Sequence, residues 1–582
     1  MAVRLGQGFS DFVRREQHHG QVADIEQGLR RSVVAPRVVP LFIIFTLVLS
    51  ILFIRLTWVT IVKGTYYRGL ADGNRVREVI TWAQRGVIYD RFGEVLTTNK
   101  PIYRKGSWSK KEGQTYLYYS QEEYIKLESE NNSQDIEEFV TREYPYSDIF
   151  SHVLGYVGEV DEKDVESGKK LGSLIGKTGL EQTYDQELRG REGKVLVETN
   201  SLGDSLKELD RVDPHPGTNL HTTLDLSLQK KSAKAMEDKP GAVIVSIPDT
   251  GEILVLYSNP SFNPNEFVNR DSRVNSYFKD PQRPLFNRSI GGLYPPGSTF
   301  KLISAAAALE KGSVDASTIF VDNGIIEVGP YKYRNWYFTQ YGRTEGEVDI
   351  VKALSRSVDT YFYELGGVTG IESIATYAKK FGLGQTTGIK LPGELPGRMP
   401  DPDWKQATKN DRWYLGDTYI TSIGQGDILV NPLQVNLFTS VIANQGKLCK
   451  PQLIEGSPSC TDLKLSPETL KLIKAGMTKA CEPEGTGFPL FNFTVGPNGP
   501  VDPWATASAK LKDKLVSIPT ACKTGTAEFG NKDKTHAWFT VFAPVENPEI
   551  VVTVLLEEGG SGSQDAAPIA KEILGEYFKT GF

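Results

Sequence analysis

The stretch Pro295-Pro296-Gly297-Ser298-Thr299-Phe300-Lys301 places a serine and a lysine three residues apart, where a helix is expected to begin. Residues at this spacing share one face of a helix, so the hydroxyl and the amine come within hydrogen-bonding reach. A serine nucleophile needs such a neighbouring base when no histidine supplies one. Ser357-Val358-Asp359 and Lys523-Thr524-Gly525-Thr526 follow in that order. The three motifs together predict acyl transfer through an activated serine.

The surrounding sequence distinguishes these motifs from copies elsewhere in the chain. Ser298 follows a Pro-Pro-Gly breaker and opens Thr299 to Glu310, a stretch rich in Leu, Ile and Ala that favours a buried helix. Lys523 ends one apolar run and precedes two more, which predicts three antiparallel strands. The copies lack these settings and are interpreted as coincidences. They are Ser107/Lys110, Ser227/Lys230, Lys177-Thr178-Gly179 and Lys579-Thr580-Gly581.

Length and composition limit the possible functions. The chain has 582 residues, of which 39% are hydrophobic and 24% charged, so two or three domains with large cores are expected. The net charge of -6 provides no basic surface, and nucleic acid is not an expected partner. The six histidines are scattered and no Cys-x-x-Cys pair occurs, so we expect neither a metal site nor a cofactor.

An apolar segment near the amino terminus predicts one membrane span. Val38 to Ile54 is almost unbroken apolar sequence, and Leu56 to Val62 extends it to the length of about 20 residues that a spanning helix requires. A cleaved signal peptide is the competing interpretation, but no small-x-small cleavage site follows. The excess of positive charge before the segment predicts a cytoplasmic amino terminus and an outward-facing remainder. These charges are Arg14, Arg15, Arg30, Arg31 and Arg37 before it, against Lys63 and Arg68 after it.

The remainder divides into two blocks. From Thr65 to about Asp238 the pattern is irregular and includes a charged stretch from Lys110 to Glu138, which is typical of an extended spacer. From Pro240 the pattern is denser, and a Pro-Asp-Thr-Gly turn between two apolar runs predicts a hairpin. The expected divisions are a cytoplasmic tail (1–37), an anchor (38–62), a spacer (63–238) and an enzymatic domain (239–582).

Strands at both ends of the enzymatic block enclose a central helical region. The first two strands are expected at Ala242 to Ile247 and Ile253 to Tyr257, and the last three follow Lys523. This order predicts an α+β fold, with a mixed, antiparallel-type sheet of five strands that carries helices on both faces.

The four cysteines all lie in the outward-facing portion, where disulfides persist. Their spacing does not fix a pairing, and Cys460 could pair with Cys449 or with Cys481. Cys522 is adjacent to Lys523, so on a strand its side chain points to the opposite face. We expect Cys522 to be a buried, unpaired small apolar residue.

The motifs resemble those of class B penicillin-binding proteins. The serine, second and lysine motifs match the set that characterises penicillin-binding proteins, and the similarity runs from the anchor to the carboxyl end. Its further elements are Arg85-Gly86-Val87-Ile88-Tyr89-Asp90-Arg91-Phe92-Gly93, Gly179-Leu180-Glu181, Leu188-Arg189-Gly190, Asn287-Arg288 and Thr526-Ala527-Glu528. The resemblance implies a penicillin-binding/β-lactamase-like transpeptidase fold, preceded by an elongated pedestal domain and one transmembrane helix.

Two features bear on the subclass. Asp359 stands where division-type enzymes and many relatives carry asparagine, and Trp413 to Gln434 resembles the cell-elongation transpeptidases. We therefore favour the elongation type, with the division type as the alternative. An ionised Asp359 would stabilise the charged form of Lys301, which opposes its action as a base.

The resemblance also implies a mechanism for the catalytic residues. Ser298 would attack the D-Ala-D-Ala bond of a peptidoglycan stem peptide, and an amine of a neighbouring stem would accept the acyl group. Lys301 would accept the serine proton, which requires its pKa to fall well below the ordinary value of about 10.4. Burial and a nearby cation can lower it, and Lys523 is the candidate cation. Ser357 would relay a proton to the leaving nitrogen, and Asp359 would orient the cluster.

The third motif is expected to bind the donor. Thr524 and Thr526 would hold its terminal carboxylate together with Lys523, and Gly525 would leave room for the substrate backbone. The backbone amides of Ser298 and Thr526 are the candidates for the oxyanion hole.

Other functions would use the same motifs. A D,D-carboxypeptidase would pass the acyl group to water, and a non-catalytic sensor would be acylated by β-lactams without turnover. A β-lactamase would lack the spacer, and a bifunctional class A enzyme would carry a glycosyltransferase pattern. By resemblance, the expected partners are β-lactams, a SEDS-family glycosyltransferase and other cell-wall elongation proteins. The expected location is the bacterial inner membrane, with a single span.

Overall fold

The computed structural model describes residues 38–109, 113–130, 132–133, 136–199, 205–501, 515–528, 530 and 534–579. The predicted cytoplasmic tail and the five arginines that precede the span lie outside these residues. The chain forms two compact units. The first comprises Met1–Val79 with Leu196–Asp210, and the second comprises Ile80–Val195 with Arg211–Phe582.

The first unit contains the predicted membrane helix. The α-helix Val38–Thr57 continues as a π-helical turn at Trp58–Val62, and a second helix follows at Gly64–Arg75. Val39–Val62 has 24 residues and a mean hydropathy of 2.6, which is long and apolar enough to cross a bilayer. The Arg55 guanidinium and the Lys63 ammonium lie 5.5 and 4.8 Å from the centre of the Trp58 ring. This cation and aromatic cluster suits the end of a membrane span.

The amino-terminal part of the second unit is more regular than a plain spacer. A three-stranded antiparallel sheet has the order Gly113–Tyr119, Thr98–Ser109, Ile136–Glu143. Part of the stretch that we expected to be irregular, Lys110 to Glu138, therefore forms a strand and a helix. The other strands in or near this part are Val76–Thr81, Ile88–Tyr89, Val157–Glu159, Leu174–Gly176, Gly193–Thr199, Ser205–Val212 and Leu220–His221. Its helices are Gln121–Ser129, Ser151–Leu154, Glu162–Glu166, Gly179–Thr183 and Asp185–Arg189.

A buried ion cluster joins the Arg-Gly and Gly-Leu-Glu segments of this part. Glu181 is fully buried and receives Nε of Arg85 at 2.5 Å and Nε of Arg142 at 2.7 Å. Arg85 also donates to Asp185 at 2.8 Å. Burial opposes the charge of Glu181, but Arg142 and Arg85 hold the pKa of its carboxyl below the ordinary value. The cluster pins three segments that are distant in sequence.

Between this part and the enzymatic part, His152 provides a pH-dependent contact. Its Nε2 donates to the Pro284 carbonyl at 2.8 Å, so the neutral ring carries its proton on Nε2. Burial lowers the pKa of His152 to about 4, the Pro284 carbonyl opposes this shift, and the positive Arg288 adds to it. The folded protein therefore resists protonation at a pH where the unfolded chain, with a histidine pKa of about 6.5, accepts it.

We expect this histidine to make the protein less stable in mild acid. Its contribution is intact above about pH 6.5, is lost as the pH falls towards 4, and amounts to about 2 kcal/mol after allowance for partial exposure of the ring. Chemical unfolding of wild type and His152→Gln at pH 7.5 and 5 measures it, because glutamine can also donate to Pro284 but does not titrate. An equal loss of stability in both proteins over this range would contradict the prediction.

The enzymatic part is built on one five-stranded sheet, here called the central sheet. Its order is Ile253–Asn259, Gly241–Ser246, Ile550–Leu556, Thr535–Ala543, Ala521–Glu528. The predicted five strands are confirmed, and every neighbouring pair is antiparallel. Gly241–Ser246, the first strand of the hairpin, pairs with Ile550–Leu556, the last of the five strands in sequence. Ala521–Glu528 therefore lies at one edge of the sheet. This edge strand, the lysine strand, carries the third motif.

Helices cover both faces of the central sheet, as predicted. One face packs against the helices Lys301–Lys311 and Pro432–Ala443 through Val551, Leu555 and Phe542. The opposite face packs against Leu226–Met236 and Ala567–Lys579. The other helices of this part are Pro264–Val268, Val274–Lys279, Trp336–Tyr341, Ile350–Arg356, Asp359–Thr369, Ile371–Lys380, Pro402–Lys409, Leu415–Ser422 and Pro467–Ala480. Its short strands are Phe320–Asp322, Ile325–Val328, Tyr331–Arg334, Gly346–Val348, Lys447–Cys449, Cys460–Asp462, Thr494–Gly496, Gly499–Val501 and Val516–Ser517.

The cysteines form two disulfides. Cys449 pairs with Cys460, which was one of the two pairings left open for Cys460. Cys481 pairs with Cys522, so the prediction that Cys522 is unpaired is wrong. Its side chain does point away from Lys523, into the core on the far face of the central sheet. The end of the helix Pro467–Ala480 brings Cys481 to that place, a contact that the sequence alone does not indicate.

Candidate active site

The serine motif forms a tight turn against the lysine strand. A 3-10 turn at Gly297–Phe300 leads directly into the helix Lys301–Lys311. Gly297 has φ of 53°, and a Cβ there would lie 2.9 Å from the Thr526 carbonyl oxygen, so the turn requires glycine. The Trp538 indole donates to the Pro295 carbonyl at 2.9 Å. These contacts leave Ser298 partly exposed while Lys301 is fully buried beneath it.

Lys301 is held by the second motif. Its Nζ donates to Asp359 Oδ1 at 2.7 Å, to the Ser357 carbonyl at 2.8 Å and to Ser357 Oγ at 3.3 Å. Ser357 ends the helix Ile350–Arg356 in the left-handed region, at φ 56° and ψ 41°. This conformation is rare for a non-glycine residue and is held by the surrounding contacts. It directs both the carbonyl and the hydroxyl of one residue to the Lys301 ammonium.

Lys523 approaches the same hydroxyl from the lysine strand. It is fully buried, and its Nζ donates to Ser357 Oγ at 3.0 Å and to the Thr524 carbonyl at 3.0 Å. The Ser357 hydroxyl therefore lies between two lysines from different motifs. The structure brings Lys301, Ser357, Asp359 and Lys523 together, in the cluster that the sequence predicted next to Ser298.

The cluster lowers the pKa of both lysines. Burial lowers the pKa of Lys301, while the Asp359 carboxylate opposes that shift. Burial lowers the pKa of Lys523 further, the positive Lys301 adds to the shift, and Asp359 opposes it. The sequence analysis expected burial and the cation Lys523 to lower the pKa of Lys301, and burial is the largest cause of the shift. Both amines are thus easier to deprotonate than an exposed lysine.

The sequence analysis missed four residues that support Asp359. The Trp336 amide donates to Asp359 Oδ2 at 2.9 Å, and the Asp359 amide donates to Asn335 Oδ1 at 3.2 Å. Asn335 in turn donates to Asp322 Oδ2 at 2.7 Å. Asp322 also receives the hydroxyl of Thr360 at 2.7 Å. This network holds the Asp359 carboxylate in place. No sequence motif reveals the network, because its hydrogen bonds join residues that are far apart in the chain.

The other three residues of the lysine motif, Thr524, Gly525 and Thr526, contact different parts of the protein. Gly525 packs against the serine turn, since a Cβ there would lie 3.1 Å from the Pro296 carbonyl and 3.0 Å from Thr299 Cγ2. Thr526 is exposed, and its carbonyl accepts from Gln425 Nε2 at 3.3 Å. Thr524 is buried, and its hydroxyl donates to Thr486 Oγ1 at 2.7 Å. The sequence analysis did not single out Thr486.

The edge position of the lysine strand also determines the direction of the Thr526 backbone N–H. The N–H and C=O of one residue in an antiparallel strand point to the same side. Since the Thr526 carbonyl faces Gln425 and the Gly297 turn, its N–H faces the same free edge, next to Ser298. An anion that forms on a carbonyl attacked by Ser298 would meet this N–H.

The donor atoms of this site suit proton transfer between amines and hydroxyls. In the described part of the chain, His, Cys, Asp and Glu side chains form no group of three or more that could hold a metal ion. The buried lysines, the Ser357 hydroxyl between them and the partly exposed Ser298 match the requirements of acyl transfer.

Comparison with known families agrees with this geometry. The family model described as the penicillin binding protein transpeptidase domain matches residues 241–575, which is more than half of the chain. The chain belongs to the penicillin-binding protein transpeptidase family. A second family model, the penicillin-binding protein dimerisation domain, matches residues 119–222.

Individual penicillin-binding proteins are similar over most of their length. The peptidoglycan D,D-transpeptidase MrdA of Acinetobacter baumannii is 31% identical over an alignment that covers 97% of this chain and 90% of the relative. Penicillin-binding protein PBP2 of Helicobacter pylori, solved in complex with MreC, superposes with a TM-score of 0.74 at 29% identity, covering 87% of this chain and 99% of that one. A chain of a peptidoglycan synthase complex, studied for the coordination of polymerization and crosslinking, gives a TM-score of 0.72 at 27% identity, covering 93% and 98%.

Because the Lys523 amine is buried, we expect it to lower the folding stability of this penicillin-binding protein. Lys523→Met is expected to raise the free energy of unfolding at pH 7 by about 1–2 kcal/mol, because methionine removes the cost of burying an amine beside Lys301. In the wild-type protein, the free-energy cost of burying the charged Lys523 amine is absent above the pKa of lysine in the unfolded chain, about 10.4. This cost develops as the pH falls below that value. The difference between variant and wild type should therefore shrink at pH 10, as measured by chemical unfolding.

The matched control is Lys234→Met, on the exposed side of the helix Leu226–Met236. It should change stability by less than about 0.5 kcal/mol at either pH. A Lys523→Met protein that folds but is less stable than wild type at pH 7 would contradict the prediction.

Proposed function

We propose that this protein is a peptidoglycan D,D-transpeptidase of the cell-elongation type, which cross-links stem peptides through an acyl-enzyme on Ser298. The observation that carries the proposal is the hydrogen-bonded chain that runs from Lys301, three residues after Ser298, through Ser357 Oγ to Lys523. Membership of the transpeptidase family supports the reaction class. The similarity to MrdA and PBP2 proteins supports the elongation type.

Acylation begins with proton transfer from Ser298 to Lys301. Neutral Lys301 accepts the hydroxyl proton as Ser298 Oγ attacks the carbonyl carbon of the D-Ala-D-Ala bond. Burial favours the neutral amine, and the Asp359 carboxylate opposes it. The Trp336 amide bonds to the same carboxylate at 2.9 Å and so reduces this opposition. The amides of Ser298 and Thr526 stabilise the oxyanion.

The leaving group receives its proton through Ser357. The proton passes from Lys301 to Ser357 Oγ, and the Ser357 hydroxyl gives its own to the nitrogen of the departing D-alanine as the C–N bond breaks. Lys523, bonded to the same oxygen at 3.0 Å, stabilises the transfer. An amine of a neighbouring stem then attacks the acyl-enzyme and returns a proton by the same route. This step restores the Ser298 hydroxyl and forms the cross-link.

The donor's terminal carboxylate binds at the lysine strand. Lys523, Thr524 and Thr526 provide the charge and the hydroxyls for it. The close packing of Gly525 on the serine turn keeps these groups next to Ser298. β-Lactams, whose ring amide and carboxylate resemble this end of the donor, acylate the same serine.

Turnover of a defined substrate tests the proposal. Detergent-solubilised protein is incubated with polymerised glycan that carries pentapeptide stems, and released D-alanine and cross-linked muropeptides are quantified. A transpeptidase gives both products in equal amounts. Release without cross-links indicates a carboxypeptidase, and β-lactam acylation without release indicates a sensor. The Ser298→Ala variant supplies the background.

The anchor and the pedestal determine the proposed location and partners. The span at 38–62 anchors the chain once in the bacterial inner membrane, with residues 1–37 in the cytoplasm, the pedestal (63–238) and the transpeptidase domain (239–582) outside. The partners are a SEDS-family glycosyltransferase and other elongation proteins. The MreC complex of the H. pylori relative and the synthase complex support this class of partner. Co-purification in detergent that never retains a glycosyltransferase would count against it.

A further inference from the structure

The loop Cys481–Gly487, here called the clip loop, contacts the segment just before the second motif and the strand that carries the third motif. Cys481 is bonded to Cys522, the residue before Lys523. The Thr486 amide donates to the Ser355 carbonyl at 3.2 Å, two residues before Ser357. The clip loop thus connects the segments that carry the second and the third motif.

Thr486 lies between two glycines of the clip loop, and the backbone at both glycines packs closely against its neighbours. A Cβ on Gly485 would lie 2.2 Å from the Ala480 carbonyl, and a Cβ on Gly487 would lie 2.3 Å from Cys522 Sγ. Both contacts are too close for any side chain. The Thr486 carbonyl also accepts from Ser563 Oγ at 2.5 Å. The backbone on each side of Thr486 is therefore held, which keeps its hydroxyl within reach of Thr524.

That hydroxyl has Thr524 as its partner. Thr524 Oγ1 donates to Thr486 Oγ1 at 2.7 Å, and Thr524 is one of the two lysine-motif threonines assigned to the donor's carboxylate. A hydroxyl can donate one hydrogen bond and accept two. When Thr524 donates to a carboxylate instead, Thr486 can reverse its role and donate to Thr524. Such a chain of two hydroxyls strengthens the bond to the carboxylate, because each bond polarises the next.

We propose that Thr486 is a positioning residue for carboxylate recognition, which holds and polarises the Thr524 hydroxyl through the Gly485-Thr486-Gly487 turn of the clip loop. The proposal rests on the proposed function, since it deepens the substrate recognition of that site. Thr486 itself touches neither the substrate nor the reacting atoms.

Acylation by a penicillin and by its methyl ester tests the proposal on the full-length protein in detergent. Thr486→Val should slow acylation by benzylpenicillin about tenfold, the scale of losing one strong neutral hydrogen bond, here the bond between Thr486 and Thr524. Acylation by the ester, which has no carboxylate charge, should stay within about twofold of wild type. Thr486→Ser should restore the benzylpenicillin rate. Thr524→Val should give the same selective loss, and the double variant should be no slower than Thr524→Val alone.

Thr478→Val is the matched control, since its hydroxyl donates to the Lys474 carbonyl within the preceding helix, at 2.9 Å. It should leave both rates unchanged. Equal slowing of benzylpenicillin and ester by Thr486→Val would mean a general structural role and would overturn the proposal, as would unchanged rates for both. Wild type that gives no adduct at Ser298 would instead refute the proposed function, so the two failures are distinguishable.

Discussion

Ser298→Ala is expected to abolish acylation by benzylpenicillin. The substitution removes the oxygen that forms the ester, and neither Lys301 nor Ser357 can replace it, because both are committed to the buried cluster. Loss of a nucleophile of this kind lowers the rate by a factor on the order of 10⁴ or more. Intact-mass measurement after incubation should show one adduct on the wild-type protein and none on the variant.

The chain offers a matched control for this prediction. Ser227 has a lysine three residues later, as Ser298 does, and lies in the helix Leu226–Met236. Its hydroxyl donates to Glu576 Oε1 at 2.7 Å, and Lys230, the lysine three residues later, is exposed. Ser227→Ala should keep the full adduct. An adduct that persists on folded Ser298→Ala would place the nucleophile elsewhere and would refute the assigned roles of Lys301, Ser357 and Lys523 together.

The parts of the site that the sequence could predict are those that depend on local spacing. Serine and lysine three residues apart after a Pro-Pro-Gly breaker indicate one turn of helix, and a lysine that ends one apolar run and precedes two more indicates three antiparallel strands. Alternation along a strand also placed Cys522 correctly on the face away from Lys523. Each of these deductions concerns residues that are close together in the chain.

The parts that the sequence could not predict depend on contacts between distant segments. The Cys481–Cys522 disulfide, the Thr486–Thr524 pair and the bonds from Trp336 and Asn335 to Asp359 join residues separated by 23 to 41 positions. Periodicity reports which face of an element is apolar, but it does not report which other element meets that face. The residues that support the catalytic cluster are therefore found only in the folded structure.

The second large effect is expected at Glu181, far from Ser298 in sequence. Glu181→Gln should lower the free energy of unfolding by about 3–5 kcal/mol, because it leaves two buried guanidinium groups, Arg85 and Arg142, without their shared carboxylate. Asp185 still faces Arg85, so Arg142 loses more. Chemical unfolding of the detergent-solubilised protein at pH 7 measures the change.

The dependence of this loss on pH separates the ion cluster from simple packing. The folded pKa of Glu181 is below its unfolded value of about 4.3, so its contribution is complete above that value and is lost as the pH falls below it. The difference between wild type and Glu181→Gln should therefore shrink in strong acid. Glu187→Gln, on an exposed position six residues later, should change stability by less than about 0.5 kcal/mol. If Glu181→Gln were as stable as wild type at pH 7, the buried cluster would not hold the Arg-Gly and Gly-Leu-Glu segments together, and their pairing would have to come from the apolar contacts around Leu180 and Leu188 alone.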